Sequence, residues 1–270
     1  MFRENRGIQS QVPIINLKMK KIFIILFTFV FVLPAFALSS AEVFSFVVFG
    51  DPHNNDDVFV PLLKKISQEP DLAFAVNCGD LVAPNNEADF RHYLKTISAV
   101  NLKIYHVPGN HDLVGRGEVY FKKYIGDLYY SFDYGNSHFI VLNNAFARYF
   151  NRAQFKWLKN DLANNHQRHT FVFLHRPTFD PSEIYADYMM SGREVVEELM
   201  GLFEKYKVDY VFAGHLHGYA KTTRNNVTYV ITGGGGAPLY LPHDLGGFYH
   251  YIKINVAGDR VSDKIIRLYD

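Results

Sequence analysis

The sequence predicts an α/β fold, and three observations predict it. Five short apolar runs each end in a cluster of Asp, Asn or His. Segments of helical periodicity alternate with those runs. Beyond residue 41 there is no internal repeat, low-complexity tract or Pro/Ser-rich linker to suggest a second domain. Such alternation is the pattern of a sheet with crossover helices. In an open α/β sheet, ligands and reacting groups gather outside the carboxyl ends of the strands. The repeated position of the polar clusters therefore predicts one shared site.

The elements follow in chain order. Residues 43–49 lead into Gly50-Asp51-Pro52-His53, and residues 72–76 into Asn77-Cys78-Gly79-Asp80. Residues 103–107 lead into Pro108-Gly109-Asn110-His111-Asp112. Residues 170–174 lead into His175-Arg176-Pro177, and residues 209–213 into Gly214-His215-Leu216-His217. Helices are predicted over 58–68, 87–100, 153–164 and 193–206, the last with apolar residues 195, 196, 199, 202 and 203 on one face. A hairpin over 129–134 and 138–142 turns at Gly135-Asn136. Strands over 227–231, 249–256 and 262–269 close the chain, with a turn at Gly258-Asp259.

The N-terminus has a different character. Lys18-Met19-Lys20-Lys21 precedes an apolar run from Ile22 to Leu33, broken only by Thr28, and Pro34-Ala35-Phe36-Ala37 follows. A basic start, a short apolar core and an Ala-x-Ala ending make a secretory signal peptide, with cleavage near Ala37. Met19 is a natural start for such a signal, which makes residues 1–18 an extension. Residues 1–41 are thus set apart from a domain over 42–270, and the product is expected to be exported, periplasmic or secreted. The alternative is an uncleaved anchor over residues 22–38, at the short limit for a membrane helix.

Formal net charge is +1 for the 270-residue chain. It becomes −3 once residues 1–37 are removed, because five basic residues and one acidic residue go with them. No basic stripe remains, which counts against nucleic acid as a partner. The single cysteine, Cys78, has no partner for a disulfide or a zinc cluster and reads as a buried, inert thiol. The 24 Phe and 18 Tyr imply a thick aromatic core.

The five clusters offer two Asp, one Asn and four His. Carboxylate, amide oxygen and imidazole suit Mn, Fe, Zn or Co better than Ca²⁺, which prefers oxygen, or Cu(I), which prefers sulfur. Seven ligands exceed one tetrahedral zinc but match two ions that share a carboxylate. Two ions roughly 3.5–4 Å apart can activate one water and clamp the attacking and leaving oxygens of a displacement at phosphorus.

Gly-Asp51-x-His53, Gly-Asp80, Gly-Asn110-His111-Asp112, His175 and Gly-His215-x-His217, in that order, resemble the calcineurin-like metallophosphoesterases over residues 43–235. The resemblance implies a four-layer α/β/β/α sandwich and hydrolysis of a phosphomonoester or phosphodiester by a metal-bridging hydroxide. It places one divalent or trivalent ion on Asp51, His53 and His217, a second on Asn110, His175 and His215, and Asp80 between them. His111 would donate a proton to the leaving oxygen, oriented by Asp112. The purple acid phosphatase branch carries a Tyr ligand three residues after the bridging Asp. Ala83 stands there, with His53 present, so a non-purple type is implied. The alternatives are a catalytically inactive binding protein of the same fold, which should lack a ligand, and a nuclease, which the charge disfavours.

Other features carry plainer readings. Residues 233–236, all Gly, lack the Lys-Ser/Thr of a phosphate loop and read as a tight turn beside the site. His92, His106, His138, His166, His169, His243 and His250 are assigned no role, though the last two follow the glycine run and could line the mouth. Arg116, Arg148 and Arg176 are candidates for a substrate contact. Specificity is expected from the loops at 113–128, 144–152, 177–192 and 236–248.

Overall fold

The structure, a computed structural model, describes residues 42–181 and 189–269. The predicted signal peptide lies outside the described residues, as do residues 182–188 of one predicted specificity loop.

Eleven strands form two sheets among the described residues. The first sheet contains β1 (Val43–Phe49), β2 (Leu72–Asn77), β3 (Ile104–His106), β10 (His250–Ala257) and β11 (Arg260–Arg267), in the order β11-β10-β1-β2-β3. The second contains β4 (Tyr130–Tyr134), β5 (Ser137–Val141), β6 (His169–Phe173), β7 (Tyr210–Ala213), β8 (Tyr219–Arg224) and β9 (Val227–Thr232), in the order β4-β5-β6-β7-β9-β8. β1, β2 and β3 run parallel, as do β5, β6, β7 and β9. Parallel neighbours need crossovers, and α1 (Asp56–Ile66), α2 (Glu87–Ile97), α5 (Arg152–Asn164) and α6 (Arg193–Lys205) supply them.

The two-residue period of a strand divides its side chains between two cores. On β1, Phe44, Phe46 and Val48 face the other sheet, among Phe74, Phe139, Phe171 and Phe173. Val47 and Phe49 face the helices, among Phe59, Leu62 and Tyr93. A third core joins α5 and α6 to the second sheet through Leu158, Leu199 and Phe203. Three buried interfaces between helices, two sheets and helices give the expected four layers. The aromatic load is shared among the three cores, with the largest share between the sheets, where the Phe46 ring lies 5.1 Å from Phe74 and 5.2 Å from Phe171. Burying each such side chain is worth about 1.5–3 kcal/mol.

Three elements depart from the sequence reading. Residues 110–113 and 117–124, expected to be loop, form α3 (Asn110–Leu113) and α4 (Gly117–Tyr124). β8 pairs antiparallel on the outer edge of the second sheet and went unpredicted. It presents mostly exposed or half-buried polar side chains, so it lacks an apolar alternation. Helix α1 begins two residues early, on Asp56 and Asp57, which favour the positive end of its dipole but carry no apolar signal, and α2 ends at Ile97 instead of 100.

Candidate metal centre

The site forms where strand ends of both sheets meet. Backbone bonds carry the β1–β2 pairing past the last strand residues: Asp51 N–H donates to Gly79 O at 2.9 Å and His53 N–H to Asp80 O at 3.2 Å. Across the sheets, His215 N–H after β7 donates to both carboxylate oxygens of Asp51 at 3.0 Å. Asp51, His53, Asp80 and His215 all take left-handed φ values, from 50° to 68°. Such backbone is uncommon for a residue with a Cβ, though Asp and His tolerate it better than most.

Glycines permit the close approaches. A Cβ on Gly109 would lie 2.1 Å from both the N and the Oδ1 of Asp80. Cβ atoms on Gly235 and Gly236 would lie 2.3 Å from Gly50 O and 2.4 Å from Pro52 O. The glycine run therefore lies flat against the Asp51 loop, as a tight turn beside the site.

All seven predicted ligands come together. Ligand atoms of Asp51, His53, Asp80 and His217 lie within 4.8 Å of one another, and so do those of Asp80, His175 and His215. Asp80 belongs to both groups: its Oδ2 is 3.4 Å from His53 Nε2 and 3.3 Å from His175 Nε2. Asn110 Oδ1 joins the second group, 3.0 Å from His175 Nε2. His217 Nε2 lies 3.5 Å from Asp51 Oδ1.

The donor set fits a pair of metal ions, as the imidazole orientations show. His175 Nδ1 donates to Cys78 O at 2.9 Å, and His217 Nδ1 donates to Pro238 O at 2.7 Å. Each bond fixes the ring and aims Nε2 into the cluster, a usual arrangement for a metal-bound histidine. His175 Nε2 and His215 Nδ1 then face each other at 3.2 Å. Burial depresses His175, but the Asp80 carboxylate outweighs it and lifts the imidazole to about 9. Burial, with the positive His175 and Arg176 nearby, pushes His215 down to about 2. Burial would raise Asp80, yet His175 and His53 hold it well below the carboxylate range. The carboxylate of Asp80 and the converging imidazole nitrogens thus make a site of the kind a metal cation occupies.

His111 lies outside both groups. Its ring is exposed, 4.7 Å from that of His53, while its backbone N–H donates to Asp80 Oδ1 at 2.8 Å. Partial burial holds its imidazole below 6.5 despite Asp80. Asp112 bonds to backbone groups of the turn rather than to the His111 ring. The Asp112 carboxylate is fully buried and accepts from Gly109 N–H at 2.8 Å and Val82 N–H at 3.2 Å. Burial and the nearby Asp80 push it up to about 8. It shapes the turn that carries Asn110 and His111.

Some contributors escaped the sequence reading. Asn144 Oδ1 accepts from the backbone N–H groups of His175 and Arg176 at 2.9 and 3.0 Å. A signal existed, since Asn143-Asn144 follows β5 as the other polar clusters follow their strands. The Cys78 and Pro238 carbonyls had none. The Cys78 thiol is buried as expected. His250 does not line the mouth: it is fully buried and bonded to Phe248 O and Thr232 Oγ1. His243 is exposed beside the Phe248 ring.

Comparison with known proteins agrees with this geometry. Purple acid phosphatase 23 of Arabidopsis thaliana is 33% identical over 137 residues, covering 49% of this chain and 28% of the relative. The serine/threonine-protein phosphatase CPPED1 of Rattus norvegicus is 29% identical over 232 residues, covering 78% of this chain and 70% of the relative. The chain thus spans under a third of the plant enzyme it matches. Among solved structures, the purple acid phosphatase PPD1 of yellow lupin superposes with a TM-score of 0.73 at 18% identity, over 84% of this chain and 52% of the other. The profile described as calcineurin-like phosphoesterase matches residues 44–219. With that match spanning more than half of the chain, the chain belongs to the calcineurin-like phosphoesterase family.

Proposed function

We propose that this chain hydrolyses a phosphate ester outside the cytoplasm with two metal ions. Asp51, His53 and His217 hold one ion, Asn110, His175 and His215 hold the other, and Asp80 is shared. One observation carries the reading: Asp80 Oδ2 lies at nearly equal distance from an imidazole of each group. When bound, two ions of the Mn, Fe or Zn type supply Lewis acidity and an activated water.

The chain's own residues do the rest. The Cys78 and Pro238 carbonyls hold two ligand rings in place, and Asp112 holds the turn before His111. His111, fixed through its backbone to Asp80, presents an exposed imidazole that can give a proton to the leaving oxygen. A complete donor set speaks against an inactive binding protein. The names of the plant and rat relatives, both phosphatases, favour a phosphate ester as substrate.

Asp80→Asn tests the shared ligand, since it keeps the shape and removes the charge both groups use. Metal content should fall to one ion or less per chain, with turnover of an aryl phosphate abolished. Two tightly bound ions with persistent activity would overturn the assignment. Export rests on residues 18–37 alone. Protein from its native host should begin near Leu38 or Glu42 by intact mass, and a membrane-bound product retaining residues 1–37 would contradict cleavage.

A further inference from the structure

Arg176 follows His175 at the end of β6, half-buried at the second ligand group. Its backbone N–H is bound by Asn144 Oδ1 at 3.0 Å, and its Nε donates to Ala145 O at 2.9 Å. These two bonds, both to the segment after β5, fix the base and the neck of the side chain. Nη2 reaches only to 3.5 Å from Asn110 Oδ1, a contact at the outer limit of a hydrogen bond.

Among the described residues the guanidinium forms no ion pair, and Nη1 donates to no protein group. The nearby carboxylate, Asp80, is already committed to His53, His175 and the His111 N–H. A half-buried guanidinium whose outer donors lack strong acceptors is costly unless a ligand completes it. Its planar fork matches the oxygens of a phosphate, and a positive charge there complements negative charge on a bound ester.

The geometry points to Arg176 as the group that holds a terminal oxygen of the substrate phosphate and thereby favours phosphomonoesters, a choice that rests on the phosphoesterase reading above. A monoester dianion spreads two charges over three terminal oxygens, whereas a diester carries one charge over two. A fixed cation gains more from the first, and the difference grows where solvent is partly excluded. Anchoring through Nε leaves the two Nη groups as the donors available to the substrate.

The test compares 4-nitrophenyl phosphate with bis(4-nitrophenyl) phosphate, which share a leaving group, on the Mn²⁺-loaded chain and its Arg176→Gln and Arg176→Lys variants. Metal content by elemental analysis and inorganic phosphate binding by calorimetry are read alongside. Arg176→Gln should keep both ions and lose about 10²-fold in kcat/KM on the monoester. Its loss on the diester should be about tenfold or less, phosphate should bind more weakly, and Arg176→Lys should recover part of both losses.

Equal losses on the two esters, or unchanged phosphate affinity, would overturn the inference. Loss of a metal ion would make Arg176 a support for Asn110 and overturn it as well. If the loaded parent chain hydrolyses neither ester, the phosphoesterase reading fails. Phosphate affinity then still decides whether Arg176 holds an anion: weakening in Arg176→Gln supports it, and no change refutes it.

Discussion

Gly109→Ala would strike the site through a single methyl group. Gly109 has φ −97°, which any residue adopts, so backbone strain plays no part. The added Cβ would lie 2.1 Å from Asp80 N, 2.1 Å from Asp80 Oδ1 and 2.8 Å from Asp80 Cα. Restoring ordinary contact near 3.4 Å requires a shift of roughly 1.3 Å between the two turns. Overpacking of this kind costs about 1–3 kcal/mol, within the roughly 5–15 kcal/mol of a typical domain, so the chain should still fold. Function is less tolerant, because a displacement of about 1 Å in a reacting constellation costs about 10²-fold. In the proposed centre Asp80 is also the shared ligand, so the shift should loosen both ions. The assay pairs a thermal melt with elemental analysis and turnover of 4-nitrophenyl phosphate at saturating Mn²⁺. A cooperative melt, weaker metal retention and turnover reduced about 10²-fold are expected. A variant that holds two ions and keeps a third or more of parental turnover would refute the reasoning, since Asp80 would then tolerate displacement.

Two further predictions concern histidines. His111→Ala should keep both ions and lose about 10²–10⁴-fold on an alkyl phosphate, whose leaving oxygen needs a proton, but far less on a nitrophenyl phosphate. Equal losses on the two would indicate charge stabilisation instead, and loss of an ion would make His111 a ligand. His138 on β5 is held between Asp133 of β4 at 2.5 Å and Asp161 of α5 at 2.8 Å. Burial depresses its imidazole, but the two carboxylates outweigh it and hold it above 6.5. A pKa raised on folding adds stability that is full below about 6.5 and is lost as pH rises through the folded value. His138→Gln should therefore destabilise by about 1–2 kcal/mol at pH 6, chiefly through the less exposed Asp161, and by less at pH 9. A difference between parent and variant melts that does not shrink between those pH values would refute the charged pairing.

The site was legible because each donor follows its strand directly in the chain, so a local reading finds it without knowing how the sheets pack. Central strands were legible for a related reason: β1 and β7 are buried on both faces and read as apolar runs, interrupted only by Ser45 in β1. Legibility fails where the chemistry is carried by the backbone. Every residue has a carbonyl, so nothing marks those of Cys78 and Pro238 as the groups that orient His175 and His217. It fails again where one residue type serves two roles. A carboxylate after Asn-His can orient a ring or cap a turn, and the burial that decides for Asp112 appears only in three dimensions. Helix α4 was missed because its buried residues are only Gly117 and Phe121, too few for an apolar stripe.

Backbone strain adds an argument independent of the motifs. Nine non-glycine residues among those described have positive φ, and Asp51, His53, Asp80 and His215 are four of them. Each such position costs of order 1–3 kcal/mol relative to relaxed backbone, and glycine would relieve most of it. Glycine is not scarce here, since Gly50, Gly79 and Gly214 stand directly before three of the strained residues. A chain that needed only these turns could place glycine one residue later and gain stability. It places a carboxylate or an imidazole instead, at four points that converge on Asp80. The side chains at those points offset the conformational preference of the backbone that carries them, in keeping with the proposed ligand set.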